Sequence, residues 1–370
     1  MKHNLKKLGL STLAASSLMI TSAFSQVTIS GYMEVGFLTG SHDGSTLQRA
    51  RGKGLGAETV ITVAGKGKMS NGWEYNIFQN IDSDDSTNGL SASNVHPLST
   101  RFIGLNPSAD YTLWYTYDGV YGGEIARTAI PVLTERPADL TGDSTLSEFI
   151  DVTSGGHALG FDVRNLGPNG RLSVAYNPMI DSLSYQSSDR TNVGTGQSGQ
   201  TANDGSGYSL GYVVAPGPVR IALGYTKIDH QQATNAQDAK SKTGGLTFTQ
   251  APFAVGIQRT TNDGLKVGST TSQQVKDVVD SASVTYAMTK ELSVGLIYSE
   301  MERTGAAITK VADTEVFQAV VAYNLGPVVA SISYEKTDNA ISRASSGASQ
   351  LAAIAGNDST LTKVKVKANF

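Results

Sequence analysis

One pattern recurs along the whole chain. A segment of strand length with alternating apolar and polar residues leads through a very short turn into a second such segment. A long polar connection then follows. Alternation at period two predicts strands, and Gly and Pro between the segments predict tight turns. The clearest copy covers residues 208–228 around the turn Pro216-Gly217-Pro218, with apolar positions at Tyr208, Leu210, Tyr212, Val214, Val219, Ile221, Leu223 and Tyr225.

The pattern predicts an all-β chain with sixteen strands. Every second connection is long, and the strand number is even, as a closed barrel with both termini at one end requires. After Gln26 no run of ~18 apolar residues exists, so a helical membrane span is excluded. The predicted strands are 27–37, 57–65, 73–81, 100–105, 111–118, 157–165, 171–177, 207–215, 219–228, 243–250, 253–261, 280–288, 292–301, 315–324, 328–337 and 361–370.

The first 25 residues have the features of an export signal. They combine an N-terminal segment with three Lys, an apolar stretch over residues 8–20, and small residues at Ala23 and Ser25. These features predict residues 1–25 as a signal peptide that is cleaved before Gln26. An N-terminal anchor is the alternative, but the apolar stretch is too short to span a ~30 Å hydrocarbon core.

The remaining chain, residues 26–370, is expected to form a single barrel domain. Removing three Lys from the 29 basic residues leaves 26 against 32 acidic residues, a formal net charge of about −6. A surface that binds nucleic acid needs an excess of Lys and Arg, so nucleic acid is excluded as a partner. The chain has no Cys. An exported protein without disulfides needs another source of stability, and a large closed sheet is one.

The last predicted strand separates charge from apolar surface. Val364, Val366, Ala368 and Phe370 alternate with three Lys. A Lys at the lipid midplane costs ~2–4 kcal/mol, so the Lys face is expected to line a wet interior. The three residues assigned to the basic wall of that interior are Lys363, Lys365 and Lys367.

The sequence resembles the general-diffusion porins of Gram-negative outer membranes, particularly the compact alphaproteobacterial kind. The resemblance implies a transmembrane, antiparallel, up-and-down barrel with short periplasmic turns and long extracellular loops. It also implies an outer-membrane homotrimer in contact with lipid and lipopolysaccharide, and a terminal aromatic, Phe370, that the barrel-assembly machinery reads. The residues that carry it are the opening Val27-Thr28-Ile29-Ser30-Gly31-Tyr32, the Asn71-Gly72 turn into Trp73, Phe102-Ile103-Gly104-Leu105, and the terminal strand.

The expected function is passive diffusion of small hydrophilic solutes and ions through a water-filled channel. Sixteen strands enclose a lumen too wide for side chains to fill. The resemblance implies that the third and longest connection, residues 119–156, folds inward as a constriction loop. Its acids are expected to face basic residues of the wall, creating a transverse field. The acids are Glu135, Asp139 and Asp143; the wall residues, besides the three Lys, are Arg164 and Arg171 from strand alternation, and Arg51 and Arg101 from the resemblance.

Two alternatives remain open. One is a barrel with a plugged lumen that acts as an adhesin, a receptor or an envelope anchor. The other is a substrate-specific porin, which would need a row of inward aromatics. Most aromatics here have outward parity, and Trp114 is the exception.

Other motifs carry little weight. The segment 194–199 fits a dinucleotide fingerprint, but no strand precedes it and no helix follows. Dispersed His residues predict no metal centre, and no catalytic set is apparent, so we expect neither an enzyme nor a cofactor. A weak candidate for a surface divalent cation departs from the calcium-loop pattern at Thr87 and Ser93; its acceptors are Asp82, Asp84, Ser86 and Asn88.

Overall fold

The chain folds into one closed barrel of sixteen antiparallel strands, seen in a computed structural model. The predicted fold class is confirmed. Among the described residues, no helix is both long enough and apolar enough to cross a membrane. The structure describes residues 24–42, 52–85, 100–117, 119–134, 136, 149–153, 157–180, 205–229, 238–267, 273–305, 313–339 and 358–370.

The strands agree in number with the sixteen that the sequence predicts, but several are longer. They are β1 Phe24–His42, β2 Gly52–Lys68, β3 Glu74–Asp85, β4 Arg101–Ser108, β5 Tyr111–Tyr117, β6 His157–Arg164, β7 Arg171–Ile180, β8 Gly205–Val214, β9 Val219–Asp229, β10 Ala239–Gln250, β11 Phe253–Val267, β12 Gln273–Ala287, β13 Leu292–Gly305, β14 Thr314–Asn324, β15 Val328–Asp338 and β16 Ser359–Asn369.

Each strand pairs with the next in sequence, and β1 pairs with β16 to close the sheet. The closing register runs from Tyr32 opposite Asn369 to His42 opposite Ser359. Phe370 extends this ladder, because its backbone exchanges two 3.0 Å hydrogen bonds with Gly31. The terminal aromatic therefore lies at the seam of the barrel.

The connections differ sharply between the two ends of the barrel. At one end the turns are very short, as between β2 and β3. There Gly72 has a φ of +88°, and the Trp73 amide donates to Asn71 Oδ1 at 3.1 Å. The other end carries the eight long connections. This arrangement is the one that the alternating loop lengths predicted.

Strand alternation separates an outer apolar face from an inner face. In β9, Leu223 is 50% exposed on the outside, whereas its neighbour Ala222 is fully buried on the inside. The same alternation places the exposed aliphatic and aromatic side chains of the other strands outward. A barrel that shows apolar residues outward is suited to lipid as its surroundings.

Candidate functional site

The third loop, which connects β5 and β6, enters the barrel. Its described parts are residues 119–134, 136 and 149–153, and they include a short 3-10 helix at Gly122–Ala126. Ala126, Ala129 and Ala222 pack together, and Ala222 belongs to the inner face of β9. The loop therefore lies inside the barrel, as the resemblance predicted.

Inward side chains of β7 to β14 hold the loop backbone at many points. We call the inner faces of these strands the covered wall. Hydroxyl, amide and guanidinium groups supply the contacts, so the wall replaces the hydrogen bonds that an irregular backbone would otherwise make with water. The contacts are Gly122 N to Ser173 Oγ, Gly123 N to Ser209 Oγ, Ala129 N to Gln258 Oε1, Ile150 N to Ser241 Oγ, Asn177 Nδ2 to Val152 O, Thr247 Oγ1 to Ala129 O, Arg220 to Ile125 O and Thr128 O, Gln258 Nε2 to Arg127 O, Ser283 Oγ to Pro131 O and Gln318 Nε2 to Arg136 O.

Glycines in the covered wall make room for this backbone. A Cβ at Gly211 would lie 2.2 Å from the carbonyl oxygen of Gly122 and 2.5 Å from Ile125. A Cβ at Gly256 would lie 2.6 Å from Pro131. All three distances are shorter than van der Waals contact, so the wall and the loop fit only because these wall positions lack side chains.

The start of the loop is fixed by an aromatic stack and a buried acid. The Tyr121 ring lies 4.8 Å from Phe102 and 4.7 Å from Trp114. Asp162 accepts hydrogen bonds from Trp114 Nε1 at 3.0 Å, from Ser173 Oγ at 2.5 Å and from Arg171 Nε at 2.9 Å. The Arg171 guanidinium in turn lies 5.3 Å from the Tyr121 ring centre.

A second buried acid, Asp151, lies where the loop returns toward β6. It accepts hydrogen bonds from the Thr153 amide at 2.8 Å and the Thr153 hydroxyl at 2.7 Å. Burial, with a smaller contribution from the nearby charge of Glu124, raises the pKa of Asp151 to about 7. This carboxyl group therefore changes its charge near neutral pH while it is packed inside the barrel.

Across the lumen, the inner faces of β16, β1 and β2 form the facing wall. Strand order places β1 eight strands from β9, which lies under the loop. Lys363 and Lys365 approach Glu34 at 3.5 and 3.3 Å. The Lys367 ammonium lies 3.4 Å from the centre of the Tyr32 ring. The three Lys thus share the inward face of β16, as alternation predicted.

The other predicted wall residues divide into two groups. Arg164 and Arg171 lie on the inward face of the barrel, the face of Asp162. The prediction for Arg101 was wrong, because it lies on the face opposite the buried Phe102 and covers the Tyr117 ring on the outside at 5.5 Å. The resemblance matched this residue by strand and ignored its parity.

Several predicted residues lie outside the described residues, or their side chains do. These comprise the three constriction acids, one wall arginine and the acceptors of the candidate cation loop. Within the described residues, no cluster of three or more metal-ligating side chains occurs. The positions concerned are Glu135, Asp139, Asp143, Arg51, Asp82, Asp84, Ser86 and Asn88.

Sequence reasoning missed the residues that hold the loop. Ser209, Arg220 and Gln258 are ordinary polar residues at inward positions, and their partners are distant in sequence. A signal does exist, because Gly, Ser and Thr occupy many inward positions of the covered wall, where a simple water-filled lumen would not require small residues.

The comparisons with known proteins agree with this geometry. The sequence profile that describes Gram-negative porins matches residues 10–341. No curated protein shows significant similarity to the chain. Among solved structures, Salmonella typhi OmpF in complex with daunomycin is 13% identical, with a TM-score of 0.64 and coverage of 93% of this chain and 97% of that one.

Two further solved structures share the fold. The anion-selective porin from Comamonas acidovorans is 13% identical, with a TM-score of 0.57 and coverage of 93% and 99%. The trimer form of OmpT from Vibrio cholerae is 9% identical, with a TM-score of 0.58 and the same coverage. At these identities the likeness establishes the architecture alone.

Proposed function

The chain belongs to the Gram-negative porin family, and we propose that its third loop sets the size and charge of a passive diffusion channel. As a porin it forms a water-filled channel in the outer membrane for small hydrophilic solutes and ions. Membership of this family indicates a channel rather than an enzyme.

The observation that carries the proposal is the attachment of the third loop to one side of the lumen. The loop occupies space along the covered wall, so solutes pass between it and the facing wall. On the facing wall, the Lys363, Lys365 and Lys367 ammonium groups follow one another along the pore axis at a spacing of two residues. Charges in such a narrow gap act on solutes through a poorly screened field.

We assign the opposite charges of this field to Glu135, Asp139 and Asp143. Their place in the chain, between Thr134 and Phe149, supports the assignment, because both flanking segments lie inside the barrel. The loop acids would attract cations, and the Lys ladder would attract anions. Selectivity is then the balance of the two.

Current measurements in planar bilayers test the proposal. Neutralising the three acids to Asn or Gln should shift the reversal potential in a salt gradient toward anions, and changing the three Lys to Gln should shift it toward cations. Deleting Ala138–Ser147 should raise single-channel conductance. An unchanged reversal potential in both triple variants, with unchanged conductance in the deletion, would exclude the loop as the constriction.

The assembly we propose is a homotrimer, exported with a signal peptide that is cleaved before Gln26. The outer faces of β1 to β4 carry exposed aliphatic side chains, among them Ile29, Val35, Leu55 and Ile103. Exposed apolar surface of this kind suits contact with another subunit, and the OmpT neighbour is described as a trimer. Intact-mass spectrometry tests the cleavage before Gln26, and the mobility of unheated protein in detergent gels tests the homotrimer.

Barrel insertion should depend on Phe370. Its backbone completes the seam between β1 and β16, and its ring is 62% exposed on the outer surface. We propose that the barrel-assembly machinery reads this residue, and that lipid and lipopolysaccharide surround the finished barrel. Deleting Phe370 should lower the yield of folded barrel while leaving synthesis and export unchanged.

A further inference from the structure

Two aromatic rings on neighbouring strands point into the lumen and stack on each other. Phe78 of β3 and Phe102 of β4 are directly opposite in the sheet. Their chain neighbours Ile77 and Ile103 are exposed on the outer face, so both rings point inward. The ring centres are 5.1 Å apart, with 14° between the planes. Phe102 also stacks on Tyr121 of the loop. The stack therefore fixes the orientation of the Phe78 ring.

One face of the Phe78 ring lies against Phe102, and the other is turned toward small residues. The distance between the ring centres is close to the spacing of neighbouring strands, about 4.8 Å, so the rings are stacked along the direction from β4 to β2. On that side Phe78 has Ala64 of β2 as its partner, and Ala64 in turn has Thr28 of β1. Phe78 is half-buried, and Thr28 is exposed although it points inward. The wall therefore has a notch, with Ala64 as its floor and Phe78 and Thr28 at its sides.

Two amide side chains flank the ring along β3. Asn76 and Asn80 are two residues before and after Phe78, so they share its inward face. The carbonyl oxygen of each amide is already engaged. Asn76 Oδ1 accepts a hydrogen bond from Asn106 Nδ2 at 3.2 Å, and Asn80 Oδ1 accepts one from Thr62 Oγ1 at 2.8 Å. These contacts hold both amides in place and leave their NH2 groups as donors at the two ends of the notch.

The charges that border the notch have opposite signs. Lys66 of β2 is directly opposite Asn76, at the end nearest the short turns. Glu74 is two residues before Asn76 on the same inward face and is the diagonal neighbour of Lys66, about 7–8 Å away. Both side chains are exposed. A cation and an anion this close together select neither an anionic nor a cationic solute. The notch therefore suits an uncharged solute that combines an apolar face with hydrogen-bonding oxygens.

We propose that the notch is a binding subsite for one pyranose ring of a neutral sugar that passes through the channel. The face of an aromatic ring carries negative charge density, and one face of a pyranose presents several weakly positive C–H groups to it. Each Asn lies about 6.7 Å along the strand from Phe78, so the hydroxyl groups of a sugar stacked on Phe78 reach the NH2 groups of Asn76 and Asn80. The inference rests on the proposed function, because the notch must open on a lumen that solutes enter.

Block of the ion current by cellobiose, a neutral disaccharide of two pyranose rings, tests the subsite. The purified protein is reconstituted in a planar bilayer, and the cellobiose concentration that gives half-maximal block is measured. Phe78→Leu keeps an apolar side chain but removes the flat ring, and Asn80→Ala removes one donor. Each change should raise this concentration about three- to tenfold, the range of one aromatic contact or one hydrogen bond. Phe78→Tyr, which keeps the ring, should leave it unchanged.

A second pair of variants fills space in the lumen without altering the aromatic stack. Ala64→Leu places a larger side chain on the floor of the notch, in front of the free face of Phe78, and should remove most of the block. The matched control is Ala254→Leu in β11. Ala254 lies between the exposed Phe253 and Val255, so it points inward from the covered wall, away from the notch. This control should be blocked by cellobiose like the unmodified channel.

The current before cellobiose is added reports the channel itself, so the two levels of the argument are separable. A protein that gives no open channel would contradict the proposed function. A channel that conducts but is not blocked by cellobiose, or is blocked equally in Phe78→Leu, Ala64→Leu and the unmodified protein, would remove the subsite alone. Block by benzoate at lower concentrations than by cellobiose, with loss of that block in Phe78→Leu, would assign the notch to aromatic carboxylates and overturn the assignment to a sugar.

Discussion

The covered wall and the facing wall belong to the same sheet and point into the same lumen, yet their inner residues differ in kind. The covered wall presents mainly Gly, Ser and Thr, and several of these side chains are fully buried. The facing wall presents Glu34 and the three Lys of β16. The difference follows from what each wall contacts, because one packs against a backbone and the other borders the channel.

This contrast shows that an inward position is not necessarily a wet one. Ala222 points inward, but it is fully buried beneath the loop. Small residues permit the loop backbone to approach, and their hydroxyl groups satisfy it. Charged residues on the covered wall have polar partners: Arg171 pairs with Asp162 of β6, Arg303 pairs with Asp277, and Arg220 donates to carbonyl groups of the loop.

The largest expected difference between the walls concerns buried charge. Arg303 and Asp277 form a bidentate pair, with distances of 2.7 and 2.6 Å and side chains that are 3% and 0% exposed. Changing Arg303 to Met leaves Asp277 charged and buried. We expect a loss of about 3–5 kcal/mol in the free energy of unfolding, the usual result of breaking a buried pair.

The matched change on the facing wall is Lys363→Met. Lys363 is 26% exposed, and Glu34 keeps the Lys365 ammonium at 3.3 Å when Lys363 is removed. We therefore expect a loss of no more than about 1 kcal/mol. Urea unfolding in lipid vesicles measures both variants. Similar losses would mean that the two walls are equally hydrated and that our division of the lumen is wrong.

A second prediction concerns the fit between the loop and the covered wall. The change Gly211→Ala places a methyl group against Gly122 and Ile125 of the loop, so the 3-10 helix must move away. This movement carries the loop into the lumen and narrows it. Because the width of the lumen limits current, single-channel conductance should fall by roughly 1.5- to 2-fold while the barrel remains folded.

Gly36→Ala is the control on the facing wall. The nearest atoms to its new methyl group would be those of the flexible Lys363 side chain at 3.3 Å and the Val364 carbonyl oxygen at 3.7 Å. We expect the conductance of this variant to equal that of the unmodified protein. If both glycine variants behave alike, the close approach of loop and wall does not determine conductance.

Sequence reasoning recovered the barrel because alternation is a local signal. All sixteen strands were found, but β2, β11 and β12 extend beyond the predicted 57–65, 253–261 and 280–288. Their extra residues are largely polar, as in Asn262 and Asp263 of β11. Beyond the membrane both faces of a strand contact water or loops, so apolar alternation no longer marks it.

The candidate site was harder to predict because its contacts join distant residues. Gln258 holds Ala129 across 129 positions of sequence, and no local pattern encodes such a pairing. The Lys ladder of β16 was predictable, since its parity is local. The prediction for Arg101 was wrong because the family resemblance assigned this residue to the inner wall. The alternation along β4 places it on the outer face.

The smallest predicted effect is a pH dependence of the attachment between the loop and the covered wall, which the facing wall does not share. The pKa of Asp151 is raised from 3.8 to about 7, chiefly by burial. Between pH 3.8 and about 7, Asp151 is therefore protonated to a greater extent when the loop is docked against the covered wall than when it is undocked. By linkage, docking is strongest at acidic pH, weakens as the pH rises toward 7, and changes little above it.

Single cysteines can report this change, because the chain has none of its own. Ala126 of the loop is fully buried against the covered wall, and Val120 near the start of the loop is 62% exposed. The modification rate of Ala126→Cys, divided by that of Val120→Cys, cancels the titration of the thiol itself. This ratio should rise severalfold between pH 5 and pH 8, and the rise should disappear in Asp151→Asn, which keeps an acceptor for Thr153 without a charge. A rise of equal size in the Asn variant would assign the pH dependence to another group and leave Asp151 as a purely structural contact of the loop.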